Sequence, residues 1–337
     1  MAEDIILDVK NLNTSFFVDG KEVHIIKNVS LQAKRGKTLA LVGESGCGKS
    51  VTLHSIVRMM PKNAKITSDY AVYRSLKGNI KKEYRLDLMS NYGKEMRRLR
   101  GCEISMIFQD PMASLNPVYR VGSQVMEGLL EHNPKMKKKD AQAAVIEMFE
   151  KLGIPDPVRR INDFPHQLSG GMKQRIIIAI AMICNPELII ADEPTTALDV
   201  TIQAQIMELM KKLQTEFNKT VIMITHNMGL VAEMADDVAV MYMGRIVERG
   251  SVSDIFSAPM HPYTQALFKS VPVLGVNDGK ELTTIAGSTP DPATLGPGCE
   301  FADRCPFCKS ACTEAEIPSI YISESHEVRC LKAVQNG

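Results

Sequence analysis

Short apolar segments alternate with polar turns along the first part of the chain. In residues 5–42, segments such as "DIILDV" and "TLALV" are rich in aliphatic and β-branched residues, which is typical of strands. A glycine-rich turn then opens a predicted helix that runs to about residue 60. Residues 62–100 are polar and irregular, and they predict weak strands followed by a basic helix.

The rest of the chain up to about residue 257 alternates apolar strands with helices. Helical periodicity dominates residues 118–185. This alternation predicts an α/β fold with a mostly parallel sheet, whose reactive edge lies at the carboxyl ends of its strands. Beyond residue 257 proline and glycine become frequent, which indicates a linker and a small appended module. The predicted strands are "EISMIFQD", "ELIIADEP", "TVIMITH" and "DVAVMYMGRIVERG", and further helices are predicted over 200–217 and 227–235.

Charge and composition argue against a protein that binds nucleic acid or anionic lipid through its overall charge, and against a protein that spans a membrane. Lys and Arg (40) nearly balance Asp and Glu (39) among 337 residues, so the chain has no global attraction for nucleic acid or anionic lipid. The longest apolar run, residues 176–184, is about half the length that a membrane helix needs. The first residues show no secretory signal, so we expect a cytosolic chain.

A phosphate-binding loop is predicted at residues 43–50, "GESGCGKS", between a predicted strand and a predicted helix. Its glycines allow the backbone to wrap a phosphate closely, and its amides face the anion. Lys49 would place a positive charge on the outer phosphates, and the Ser50 hydroxyl would ligate Mg²⁺. The alternative is a chance glycine-rich turn. The candidate nucleotide-binding residues of this segment are Gly43, Glu44, Ser45, Gly46, Cys47, Gly48, Lys49, Ser50 and Val51.

Two acids end the apolar strand "LIIADE" of residues 188–193. Asp192 can hold Mg²⁺ through water, and Glu193 can polarise a water toward the γ-phosphate. The alternative is a pair of capping acids before the next helix.

A second glycine-containing turn, "LSGGMKQR" at residues 168–175, opens another predicted helix. Basic residues in the first turn of a helix oppose its dipole, which makes sense if the turn binds an anion. Because one phosphate-binding loop is already present, the turn formed by Ser169, Gly170 and Gly171 suggests a nucleotide shared with another subunit. The alternative is simple capping by Ser169.

These motifs, in this order, resemble the ATPase subunits of ATP-binding cassette (ABC) transporters over about residues 5–260. The resemblance implies a P-loop NTPase cassette with a mostly parallel sheet, an antiparallel β subdomain and a helical subdomain over about 110–185. It also assigns four further residues. Gln109 of "FQD" would ligate Mg²⁺ and sense the membrane partner, Asp199 of "TALD" would lie at a dimer seam, His226 of "ITHNM" would contact the γ-phosphate, and Phe16 or Phe17 would stack on adenine. Taken alone, His226 would be an ordinary histidine at a strand end.

Longer segments resemble the branch that imports di- and oligopeptides, which also handles nickel and other small solutes. They are "VGESGCGKS", "MIFQDPMASLNPV", "FPHQLSGGMKQR" and "HPYTQALFKSVP". The basic stretch 70–95 departs from the family pattern, and we assign it no function. The resemblance divides the chain into a nucleotide-binding domain, 1–257, and a C-terminal extension, 258–337.

The extension is rich in cysteine, and members of this branch carry spaced cysteines there. In a reducing cytosol, clustered cysteines are more often metal ligands than disulfides. The pattern implies a metal module at about 296–332 that binds a [4Fe–4S] cluster, with Zn²⁺, free thiols or an adventitious disulfide as alternatives. The ligands would be Cys299, Cys305, Cys312 and Cys330, while Cys308 is not required.

The expected function is that of an ATP-hydrolysing, energy-coupling subunit of a peptide importer that uses ATP and Mg²⁺. We expect a head-to-tail dimer with a second ATPase subunit, either a paralogue or a second copy, and two transmembrane permease subunits. An extracytoplasmic peptide-binding protein would act indirectly, and no nucleic acid is expected. The chain would lie peripherally at the cytoplasmic face of the plasma membrane. The alternatives are a soluble ABC-type ATPase acting on DNA or ribosomes, and a redox sensor whose active centre is the tail.

Overall fold

The computed structural model describes residues 4–77, 81–196, 198–270 and 285–333, and within them two β-sheets are flanked by helices. One sheet has five strands in the order β2-β1-β5-β6, with β4 also paired to β1, and its pairs are antiparallel. The turn Asp19-Gly20 joins β1 to β2 with positive φ at both residues, as a tight hairpin requires. The strands are β1 (Ile5–Val18), β2 (Lys21–Lys34), β4 (Ala64–Thr67), β5 (Tyr70–Ser75) and β6 (Lys82–Arg85).

The second sheet has eight strands in the order β12-β13-β11-β10-β3-β9-β8-β7. Its five strands from β10 to β7 are parallel, so their carboxyl ends share one edge. Beyond β10 the pairs are antiparallel: β11 pairs with β10, β13 with β11, and β12 with β13. The bounds are β3 (Thr38–Val42), β7 (Ile104–Ile107), β8 (Leu188–Asp192), β9 (Thr220–Thr225), β10 (Asp237–Tyr242), β11 (Arg245–Ser251), β12 (Ile320–Tyr321) and β13 (Glu327–Val328).

The prediction of one long strand over "DVAVMYMGRIVERG" is wrong, because the segment forms the hairpin β10–β11. Met243 and Gly244 make the turn, both with positive φ. A side chain at Gly244 would meet the carbonyl oxygen of Ile25 at 1.9 Å, so the turn approaches β2 too closely for any other residue.

Helices occupy the intervals between the strands of the parallel sheet. Five of them, α3–α7, lie between β7 and β8, and four of these, α4–α7, fall within the residues 118–185 for which helical periodicity was predicted. The helices are α1 (Lys49–Ile56), α2 (Lys94–Cys102), α3 (Pro111–Ser114), α4 (Val121–His132), α5 (Lys138–Lys151), α6 (Pro157–Arg160), α7 (Gly170–Met182), α8 (Val200–Thr215), α9 (Met228–Met234), α10 (Val252–Ser257), α11 (Pro262–Lys269) and α12 (Ala311–Glu314).

Three buried apolar clusters hold these elements together. One packs the helices after β7 against one face of the parallel sheet, and a second joins the antiparallel sheet to the other face through α1. The third surrounds Tyr242, Tyr263 and Phe301 and fastens the C-terminal segment to β10. Burial of such large aromatic side chains is a strong stabilising contribution. Within the described ranges, no helix has both the length and the apolar character needed to cross a lipid bilayer.

Candidate active site

The predicted phosphate-binding loop lies between β3 and α1, at the carboxyl edge of the parallel strands. Gly43, Gly46 and Gly48 all have positive φ. A Cβ on Gly43 would lie 2.2 Å from the carbonyl oxygen of Met241, so the loop closes only with glycine at this position. The resulting bare backbone before the helix is a cradle that fits a phosphate group.

The Lys49 side chain is folded back into this loop and is only 5% exposed. Its ammonium donates hydrogen bonds of 2.9 Å to the carbonyl oxygens of Gly43 and Glu44, and it lies 3.8 Å from Sγ of Cys47. These hydrogen bonds hold the ammonium of Lys49 inside the phosphate-binding loop. The same hydrogen bonds fix the backbone of the loop, so the loop conformation and the position of the charge depend on one another.

A hydroxyl and a carboxylate meet next to the loop. Ser50 donates a 3.0 Å hydrogen bond from Oγ to Oδ1 of Asp192, which is the last residue of β8. Asp192 is only 4% exposed, and this burial raises the pKa of its carboxyl group. Hard oxygen donors of this kind suit Mg²⁺, so the pair fits the metal that the nucleotide chemistry implies.

Glu193 follows Asp192 and is contacted from three directions. Its Oε2 accepts hydrogen bonds from Nε2 of Gln109 at 3.0 Å and from Oγ1 of Thr196 at 2.9 Å. Nδ1 of His226 lies 3.4 Å from its Oε1, on a side chain that is 63% exposed. Glu193 has a left-handed backbone with φ of 44°, which turns its side chain away from the line of β8. The carboxyl ends of β7, β8 and β9 thus bring together three residues that are distant in sequence.

Two supporting residues were not identified from the sequence. Thr196 orients the carboxylate of Glu193, as described above. Gln174 is buried on α7 and donates a 2.7 Å hydrogen bond from Nε2 to the carbonyl oxygen of Pro194, directly after Glu193. The amide lies one turn into the helix of "LSGGMKQR", and no local signal distinguishes it from a surface glutamine.

The second glycine-containing turn lies at the start of α7. Ser169 caps this helix by accepting a hydrogen bond from the amide of Met172 at 3.3 Å, so the capping interaction considered above is present. A Cβ on Gly171 would approach the Ile202 side chain to 2.9 Å, which places this turn against α8. Asp199 caps α8 in the same way through the amide of Ile202. In the part of the chain that the structure describes, the hydrogen bonds of Ser169 and Asp199 are local, and none joins either residue to the phosphate-binding loop.

The two candidate aromatic residues lie near the end of β1. Phe16 is half-buried and pairs with Val23 of β2 and Ala64 of β4. Phe17 is 48% exposed.

The prediction of an iron–sulfur or zinc centre in the tail is wrong. Among the described residues, no group of three or more His, Cys, Asp or Glu side chains has an arrangement that could hold a metal ion. Burial raises the pKa of the Cys299 thiol to about 12, and the pKa values of Cys305, Cys308 and Cys330 are also raised, first of all by burial. Cys299 and Cys305 instead pack as small apolar side chains against the cluster around Tyr242.

Comparison with known proteins places this site in a family. The family model described as "ABC transporter" matches residues 26–196, about half of the chain. A second model, described as "Oligopeptide/dipeptide transporter, C-terminal region", matches residues 247–312.

Curated relatives match nearly the whole chain. The dipeptide transport ATP-binding protein DppD of Bacillus subtilis is 49% identical over 326 residues, which cover 96% of this chain and 94% of that protein. The oligopeptide transport ATP-binding protein OppD of the same organism is 48% identical over 324 residues, covering 96% of this chain and 88% of that protein. The names of these relatives mention no iron–sulfur cluster.

Solved structures match the cassette portion. A dimeric ATP-binding cassette in a post-hydrolysis state, bound to ADP and phosphate, is 28% identical with a TM-score of 0.61 and covers 73% of this chain and 98% of its own. The cassette cbiO1 from Clostridium perfringens is 28% identical with a TM-score of 0.59, covering 76% of this chain and 92% of its own.

Fold, site and relatives together define an ATPase of the ATP-binding cassette class, a P-loop fold in which parallel and antiparallel sheets are combined. The chain belongs to the ABC transporter family, in the group that carries the C-terminal region of oligopeptide and dipeptide transporters.

Proposed function

We propose that this chain is the ATP-hydrolysing, energy-coupling subunit of a dipeptide or oligopeptide importer. The observation that carries the proposal is the presence, on one chain, of a complete cassette and of the peptide-transporter C-terminal region, at 49% identity to a dipeptide transport protein. The arrangement of Lys49, Asp192 and Glu193 at one sheet edge supports the hydrolytic part of this function.

The phosphates of ATP would occupy the cradle of residues 43–48, with the ammonium of Lys49 on the outer phosphates. Phe16 would stack on adenine, with Phe17 as the alternative, and separate alanine substitutions decide between them by the affinity for ATP. The further nucleotide contacts in this assignment are made by Glu44, Ser45, Cys47, Ser50 and Val51.

Ser50, Asp192 and Gln109 are the residues that would hold Mg²⁺. When bound, the metal would neutralise charge on the phosphate oxygens. The Ser50 hydroxyl and the Asp192 carboxylate are already in contact at 3.0 Å, so little rearrangement separates the two donors from a shared ligand position.

Glu193 would act as the general base that orients water toward the γ-phosphate. Gln109 and Thr196 fix its carboxylate on one side. His226, on the exposed side, would contact the γ-phosphate itself. The exposure of His226 leaves it free to change partner without breaking buried contacts.

Ser169, Gly170 and Gly171 would bind the nucleotide of a second ATPase subunit, either a paralogue or another copy, in a head-to-tail dimer. The local hydrogen bonds of Ser169 support this arrangement, because the turn is formed without using the loop of its own chain. Asp199 would lie at the seam between the two subunits, and its neighbour Val200 is 81% exposed.

The chain would act at the cytoplasmic face of the plasma membrane as a peripheral subunit, bound to two transmembrane permease subunits. Peptide would reach them through an extracytoplasmic binding protein. We divide the chain into a nucleotide-binding domain, 1–257, whose helical subdomain spans about 110–185, and a C-terminal extension, 258–337.

Co-purification tests this proposal. The full chain, produced together with candidate permease subunits of a peptide importer, is expected to purify from detergent-solubilised membranes as a complex containing two permease subunits. A complex stimulated by peptide-loaded binding protein supports peptide import, and one stimulated only by nickel or another small solute assigns that solute instead. Recovery with ribosomes or DNA and without membrane subunits would contradict the proposal.

A further inference from the structure

The C-terminal segment contacts the phosphate-binding loop through a bidentate ion pair between Arg304 and Glu44. Nη1 of Arg304 donates to Oε2 of Glu44 at 2.8 Å, and Nη2 donates to Oε1 at 3.1 Å. The two residues are 260 positions apart in sequence. The Arg304 side chain is 5% exposed and that of Glu44 is 26% exposed, so the contact is largely shielded from water. Paired guanidinium–carboxylate hydrogen bonds of this geometry are among the stronger polar contacts in proteins.

A second residue of the same segment holds the backbone of Glu44. The backbone amide of Glu44 donates a 2.8 Å hydrogen bond to the hydroxyl oxygen of Tyr263 on α11. Tyr263 is fully buried among aromatic rings, so its hydroxyl has a defined position. The carbonyl oxygen of Glu44 in turn accepts a hydrogen bond from Nζ of Lys49. Glu44 therefore connects the C-terminal segment directly to the lysine of the phosphate-binding loop.

Arg304 is itself held rigidly. Its Nε donates to the carbonyl oxygen of Ala286 at 2.9 Å, and its Nη1 to the hydroxyl of Tyr242 at 3.2 Å. The guanidinium carbon also lies 5.9 Å from the ring centroid of Phe301. Because these contacts already restrain the Arg304 side chain, it loses little further conformational entropy when it pairs with the Glu44 carboxylate.

The charge of Glu44 explains why this contact bears on ATP. A carboxylate in a loop that wraps phosphates repels them, and the repulsion is strong where water is excluded. The Arg304 guanidinium neutralises that carboxylate and fixes its direction. We propose that Arg304 and Tyr263 are positioning residues for the ATP site, which set the conformation of Glu44 and neutralise its carboxylate so that the loop accepts a polyphosphate.

The inference rests on the ATP site proposed above and is tested on the full-length chain by calorimetric titration with MgATP. Arg304→Gln is expected to raise the dissociation constant by roughly 10-fold, as loss of a charged hydrogen-bond pair would. Adding Glu44→Gln to this variant is expected to recover most of the loss, because the unpaired carboxylate is then removed. Arg304→Lys retains the charge and is expected to lie between the wild type and Arg304→Gln. A purely structural role of Arg304 predicts no recovery in the double variant.

Arg249→Gln is the matched control, since Arg249 also pairs with a glutamate of the extension, Glu327, but donates to no residue of the phosphate-binding loop in the described structure. Its affinity for ATP is expected to equal that of the wild type. If Arg304→Gln does not fold, Tyr263→Phe removes only the hydroxyl and is expected to weaken binding by about 3-fold. Unchanged affinity in Tyr263→Phe, or in a folded Arg304→Gln, would overturn the inference alone. A wild-type chain that binds no ATP would overturn the proposed function as well.

Discussion

Nε2 of Gln109 donates a 3.0 Å hydrogen bond to Oε2 of Glu193. Gln109 follows β7 at the point where the chain enters the helical region, and Glu193 follows β8. The contact therefore joins the proposed general base to the segment that leads into α3–α7. We propose that a displacement of that helical region moves the carboxylate, which would give a membrane partner a physical route to the hydrolytic site.

Glu193→Gln is expected to bind ATP as the wild type does while its turnover falls about 100-fold or more, since the amide cannot take a proton from water. Steady-state hydrolysis and ATP titration on the same preparation measure both quantities. Glu233→Gln, on the exposed face of α9, is the control and should hydrolyse ATP normally. Near-normal hydrolysis by Glu193→Gln would remove Glu193 from the role of base.

Lys49→Ala is expected to weaken ATP binding by at least about 10-fold, because the variant lacks the ammonium that the loop holds next to the phosphate cradle. The dissociation constant for MgATP is the measurement. Lys212→Ala, on the surface of α8, should bind ATP normally. Equal affinities in the two variants would refute the assignment of the loop.

The shared nucleotide site predicts a crosslink between chains. With Ser45→Cys on one chain and Ser169→Cys on another, an inter-chain bridge is expected when ATP is bound, identified as a 45–169 linkage by mass spectrometry. Ser123→Cys, exposed on α4, replaces Ser169→Cys in the control and should give no such bridge. Absence of the 45–169 linkage when ATP is bound would contradict a head-to-tail dimer.

The buried histidine at the start of α11 predicts a pH dependence of stability. Burial, and then the charge of Arg329, lowers the pKa of His261 to about 3, from an ordinary value near 6.5. The unfolded chain therefore binds more protons than the folded chain between these values. The contribution of neutral His261 is complete above about pH 6.5 and is lost as pH falls toward 3.

In the wild type, Nδ1 of His261 accepts a 3.0 Å hydrogen bond from the amide of Tyr263. His261→Asn keeps a side-chain acceptor for this amide and removes the titrating ring. Urea unfolding should show that the difference in free energy of unfolding between wild type and variant shrinks from pH 7 to pH 4. The exposed His24→Asn should show no such trend. A difference that stays constant with pH would show that His261 does not titrate as expected.

The positions of the candidate nucleotide-binding residues in the fold were predictable, because each depends on local spacing or on the geometry of parallel strands. Gly43–Ser50 are contiguous in sequence, and Asp192, Glu193 and His226 lie at or just after the ends of strands whose carboxyl ends must meet at one edge. The hairpin at Met243 and Gly244 was missed, because a single glycine within an apolar run indicates a bulge as readily as a turn.

The C-terminal segment was the least predictable part. Its strands β12 and β13 have two residues each; β13 pairs with β11, about 80 residues away in sequence, and β12 pairs with β13. Spacing alone could not show whether the cysteines converge on a metal ion or pack as small apolar side chains. The Arg304–Glu44 pair is likewise a long-range contact between charges that are individually unremarkable in sequence.

Peptide uptake by the reconstituted complex shows whether ATP hydrolysis by this chain drives import. Proteoliposomes containing this chain, its partner ATPase and both permease subunits should accumulate labelled dipeptide or oligopeptide in the presence of binding protein and MgATP. Uptake should stop when Glu193→Gln replaces the wild-type chain, while assembly of the complex persists. Uptake at the wild-type rate with Glu193→Gln, or ATP hydrolysis that no peptide stimulates, would contradict the account.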